Sequence, residues 1–133
     1  MKRFHVIFGV IVLVAFLLTG QYMDRYHKHL AYMADGPRLL YRTRHIFILM
    51  TGLIHLGIGA YFSSRPGFVR RALQVSGSLL ITIAAVLFVV GFFREPKLEG
   101  LYAPLSKAGV IMVAVGTLLH LFSGVGKETI KRV

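Results

Sequence analysis

An all-α, integral membrane four-helix bundle is the fold that this chain predicts, and three observations predict it. Stretches free of Lys, Arg, Asp and Glu recur between Arg3 and Asp24, Arg44 and Arg65, Arg71 and Arg94, and Lys107 and Lys127. Each holds about 20 residues, which at ~1.5 Å rise per residue is ~30 Å, the thickness of a bilayer's hydrocarbon core. Of the 133 residues 56% are hydrophobic, and the charges fall in short groups between the apolar runs. Aromatic residues gather at the ends of those runs, at Tyr22, Tyr26, Tyr41, Tyr61, Phe62, Phe92, Phe93 and Tyr102, as interfacial belts require. Only a helix satisfies its own backbone in lipid, so the runs read as spans over approximately residues 4–23, 45–64, 72–93 and 108–126 of a single domain, 1–133.

The first span opens on Lys2-Arg3 and resembles a secretory signal, yet it is long and lacks a small-x-small cleavage site, so it is expected to stay as an anchor. Gln21 stands in "LLTGQ" where a lipoprotein signal needs cysteine, which excludes lipidation there. Pro37, after "ADG", starts the second helix, with Asp35 or Gly36 as cap. That helix is expected to run from about Pro37 to Phe62, with Arg38, Arg42 and Arg44 among the headgroups. Pro66, with Ser64 as cap, starts the third helix, Pro96 stops it, and Pro104 starts the fourth.

Sixteen Lys and Arg against five Asp and Glu give a net charge of +11. Because these charges flank apolar runs, they point to the lipid bilayer as partner and not to nucleic acid. The absence of cysteine removes disulfides, iron-sulfur clusters and thiolate zinc sites. Lys and Arg divide evenly between the two sides of the membrane, so the positive-inside count is a tie. The basic pair directly before the first span, and the placing of Asp24, Asp35, Glu95 and Glu99 on the opposite side, favour cytoplasmic termini in a multi-pass protein of the cell inner (plasma) membrane.

Chemistry concentrates in a repeated histidine word. "TGLIHLGIG" from Thr51 to Gly59 and "GTLLHLFSG" from Gly116 to Gly124 both read small-small-Leu-aliphatic-His-Leu-x-x-Gly. Thr51, His55 and Gly59 lie four residues apart on one helix face, as do Gly116, His120 and Gly124. Each histidine precedes the end of its span by seven residues, which sets both at ~10 Å from the same membrane end. A duplicated two-helix hairpin fits this offset. Packing is the first reading: small residues let helices approach, and a neutral imidazole hydrogen-bonds across the interface. The alternative is a haem b held between His55 and His120 for electron transfer or sensing, with glycine making room for the macrocycle and Thr51 or Thr117 orienting a ring. A proton relay is a third reading. No resident cofactor or metal is required by the first.

His45 is expected in the basic interfacial collar beside Arg42 and Arg44, facing headgroups or water. His27 and His29 in "YHKHLAYMAD" read as solvated loop histidines, and Asp24 or Asp35 would be needed to complete a metal site there. No carboxylate lies inside a span, which argues against small exporters and proton-coupled carriers. No paired Ser and His at a membrane interface, phosphate-binding glycine loop or H-E-x-x-H motif is read in the chain, so no enzymatic activity is expected. The segment "LLYRTRHIFILMTGLIHLGIGAYF" with "RRALQVSGSLL", and above all Tyr41-Arg42-x-x-His45-Ile46, resembles an uncharacterised family of small bacterial inner-membrane proteins with four predicted transmembrane helices. That resemblance implies fold and location only. The expected function is therefore that of a small membrane protein acting through helix packing, in a homo-oligomer or a larger membrane complex.

Overall fold

A computed structural model describes residues 1–64, 66–98 and 102–124. They form helices α1 (Lys2–His27), α2 (Asp35–Tyr61), α3 (Phe68–Arg94) and α4 (Pro104–Gly124), with short turns at Lys28–Leu30 and Glu95–Lys97. The fold is all-α, and all four helices are long and apolar enough to cross a membrane. The last two residues expected in the fourth span, 125 and 126, lie outside the described residues.

Two helix ends differ from the expected capping. The cap position of α2 is Ala34, without a side-chain bond, and Asp35 is already helical, paired with Arg38 one turn on. Its charge in the first turn opposes the helix dipole instead of capping it. Gly67, at φ 97°, sits before α3, so Ser64 and Pro66 belong to the connection upstream. Glycine adopts that left-handed conformation at no steric cost.

The chain folds as two hairpins, α1 along α2 and α3 along α4, which meet mainly across α2 and α3; α2 and α4 make at most marginal backbone contact. Glycines explain the closeness within each hairpin. A Cβ on Gly59 would stand 2.7 Å from Cγ2 of Val6 and 2.9 Å from its backbone nitrogen; one on Gly77 would stand 2.7 Å from the Gly116 carbonyl oxygen. Real Cβ contacts do not come so near, so these seams exist only with glycine. Between the hairpins lies a dry core of Val12, Ile48, Ala84, Ala85 and Phe88. Outward faces carry aliphatic side chains such as Ile7, Ile11, Leu53, Leu79 and Ile111.

Candidate functional site

Four helices deliver polar side chains to one level near the end of the bundle that holds residue 1. His5 stands in the first turn of α1, His55 in the last two turns of α2, Ser78 in α3 and His120 in the last turn of α4. Nδ1 of His5 lies 2.9 Å from Nδ1 of His55, and Nε2 of His5 lies 2.9 Å from Oγ of Ser78. Nε2 of His120 lies 3.0 Å from the same Oγ. The Ser78 hydroxyl donates to the Gln74 carbonyl one turn back, at 2.7 Å. His5 and His55 are fully buried, the Phe8 ring packing 4.7 Å from that of His55, while His120 is half-buried.

The hydrogen-bond pattern assigns the protons around Ser78. With its own hydrogen on Gln74, Ser78 accepts from Nε2–H of His5 and of His120. Nδ1 of His5 and Nδ1 of His55 share one hydrogen, carried by one of the two rings. Nε2 of His55 is buried and has no hydrogen-bond partner among the described residues. The opposite end of the chain, His120, borders a cleft of about 190 Å³ lined also by Tyr61, Phe62, Gln74 and Gly124.

The structure thus brings His55 and His120 into one cluster, but through His5 and Ser78 and not face to face. The other expected members act differently. Thr51 donates to the carbonyls of Phe47 and Ile48 on its own helix, at 3.0 and 2.9 Å, and Thr117 is exposed. Gly59 is filled by Val6, Gly116 by Ile81 and Gly77, and Gly124 is exposed at the cleft. The room that glycine was expected to give a macrocycle is occupied by neighbouring helices. These residues therefore do not fit a haem b between α2 and α4. Among the described residues no group of three or more His, Cys, Asp or Glu could hold a metal ion.

His5 was not expected in the site. The signal for His5 was its depth: alternating helices put the start of α1 level with the ends of α2 and α4. It lies outside the repeated word, so alignment of the repeats passed over it.

A second polar cluster occupies the other end of the bundle, just past the span expected over residues 72–93. Glu95 is fully buried and Arg44 is 3% exposed. Nε of Arg44 donates to Oε2 of Glu95 at 2.7 Å, the backbone N–H of Ser106 donates to Oε1 at 2.9 Å, and the Ser106 hydroxyl donates to Oε2. The cause is the turn at Glu95–Lys97, which folds the chain over the bundle's end and points the carboxylate inward. There it caps the first turn of α4, whose free N–H groups favour an anion. Gly91 leaves space, since a Cβ would stand 3.0 Å from Oε2.

His45 also departs from expectation. Its Nδ1 lies 2.9 Å from the Thr19 hydroxyl, and its ring stacks on Phe16 at 4.1 Å, opposite Gly20. It fills the α1 seam and does not face headgroups. His29 pairs with Asp24 at 2.7 Å on the exposed surface, whereas His27 packs against Tyr22 and Tyr41 with Nε2 buried and unpartnered.

Compared with known proteins, no family model, no curated protein and no solved structure matches the chain.

Proposed function

We propose that the chain is a non-enzymatic, multi-pass protein of the cell inner membrane, both termini cytoplasmic, that acts through its membrane-facing surface in a homo-oligomer or a larger membrane complex. The observation that carries this reading is the inward direction of its polar chemistry. The imidazoles, Ser78 and the Arg44–Glu95 pair bond to one another, and long aliphatic faces are left outside. Side chains that use their hydrogen bonds on neighbouring helices hold a bundle together, so contact with other molecules falls to the apolar exterior. Burial of Arg44 against Glu95 removes one surface cation from the side opposite the termini, which tips the even charge count toward cytoplasmic termini. The Tyr41-Arg42-x-x-His45-Ile46 likeness supports membership of the bacterial inner-membrane family and the same location.

Crosslinking in intact membranes, with single cysteines at Leu53 and Ile11, tests the assembly. A crosslinked homo-oligomer or a defined second component is expected. A chain that stays monomeric and alone in both membrane and mild detergent rules the reading out.

The bare Nε2 of His55 favours a second reading, a proton-holding chain from His55 through His5 and Ser78 to His120. Histidine ¹⁵N spectra with three neutral, mutually bonded rings that change together on acidification support it; independent titration excludes it. A Soret band lost in both His55→Ala and His120→Ala would replace both readings with a haem site.

A further inference from the structure

We propose that the groove between α2 and α4 binds an anionic phospholipid, one acyl chain lying in the groove and the phosphate set against Lys107. This rests on the membrane reading above. Because α2 and α4 are not packed together, the bundle is open on that side, and the opening is a groove of about 550 Å³. Leu39, Leu40, Phe47, Val110 and Ile111 make its walls. That size lies within the range of small-molecule sites, and the walls offer no hydrogen bond to a polar occupant.

The polar groups are confined to one end. Arg44, Thr43 and Lys107 border the groove there, and Phe47, Val110 and Ile111 continue it along both helices toward the dry middle. Arg38, Arg42, Arg94 and Lys97 lie at the same end of the bundle, so this is headgroup depth. A ligand shaped to the groove is charged at the interface and apolar below it, which is the description of a lipid.

Charge decides which lipid. Glu95 neutralises one of the two cations that line the groove, Arg44 and Lys107, so one positive charge is left beside the trough. Arg44 is held rigidly: Nε is on Glu95, and Nη1 donates to the Leu40 carbonyl at 3.2 Å and to the Thr43 hydroxyl at 2.8 Å. Nη2 is the guanidinium nitrogen outside these bonds. The Thr43 hydroxyl donates to the Leu39 and Leu40 carbonyls, so the exposed ammonium of Lys107 is the group left for a phosphodiester. A second copy of this chain is a poorer occupant, because each acid among the described residues already has a partner: Asp24 with His29, Asp35 with Arg38, Glu95 with Arg44.

The full chain, purified in mild detergent, is titrated with phosphatidylglycerol and with phosphatidylcholine of the same acyl chains, and read by native mass spectrometry and thermal unfolding. One phosphatidylglycerol per chain is expected to stay bound and raise the Tm, with phosphatidylcholine clearly weaker. Lys107→Ala, at an exposed position, is expected to weaken phosphatidylglycerol about fivefold. Val110→Trp, which fills the trough, is expected to abolish binding of both. Equal binding of the two lipids, or indifference to either substitution in a folded variant, overturns the proposal. A disulfide-linked dimer through Ile111→Cys that excludes lipid overturns it in favour of a second copy. Release of the native protein from membranes by carbonate is a failure of the membrane reading; retention without lipid preference is a failure of the groove alone.

Discussion

Arg44 and Ser78 do the most with the fewest atoms. Arg44 supplies the only described cation on the buried Glu95 carboxylate, and removing one partner of such a pair strands the other charge. Arg44→Ala and Glu95→Gln should therefore each lower unfolding stability by about 3 to 5 kcal/mol in detergent, the first by stranding the carboxylate and the second by stranding the guanidinium and setting an amide N–H against it. Losses below about 1 kcal/mol, the size seen for exposed pairs, would mean that the charge pair is unimportant there. Ser78→Ala removes the hydroxyl on which His5 and His120 converge, at a cost of about 1 to 2 kcal/mol. Its specific sign is a shift of the His5 and His120 ring nitrogens with His45 unmoved; a uniform shift would indicate general loosening instead. These roles were only partly legible. His55 and His120 announced themselves by a repeated word, but Glu95 sat in a charged cluster that reads as a loop. Only the turn after α3 reveals that its carboxylate points inward.

Among the helices, the glycine seams make a clean contrast. Gly59→Ala and Gly77→Ala put a methyl group against the backbone of a neighbouring helix, so each should destabilise by about 1 to 3 kcal/mol, whereas Gly57→Ala meets nothing within 4 Å and should be neutral or slightly stabilising. Thermal unfolding of the three variants in one detergent checks this, and similar losses at all three would deny the seams. The turn after α1 is strained: Lys28, His29 and Leu30 have φ of 44°, 55° and 64°. Left-handed backbone costs an ordinary residue about 1 kcal/mol, so Lys28→Gly should stabilise by roughly that amount, unless its φ is not fixed in solution. The helices were readable from charge spacing because lipid excludes every other backbone arrangement. Which helix packs on which was not, since small residues line several faces of every span. The repeat drew attention to α2 and α4, and these turn out to be the pair held apart.

Over the whole molecule, polarity is split between two ends by the apolar belt of Val12, Ile48, Ala84, Ala85 and Phe88. No hydrogen-bonded path connects them among the described residues, so reconstituted vesicles should show no proton or cation conductance above lipid alone. A measurable flux would require a second conformation. The same division has a consequence for how the chain is made. Within the first hairpin His5 already meets His55, and within the second Ser78 already meets His120. Two contacts then join the halves at opposite ends, His5 with Ser78 and Arg44 with Glu95, across sequence separations of 73 and 51 residues. On the proposed membrane reading, the first hairpin inserts with an arginine whose counter-charge has not yet been translated. Its docking with the second hairpin is thereby timed by the ribosome, and a chain cut between them should reassemble only when both halves enter the same membrane.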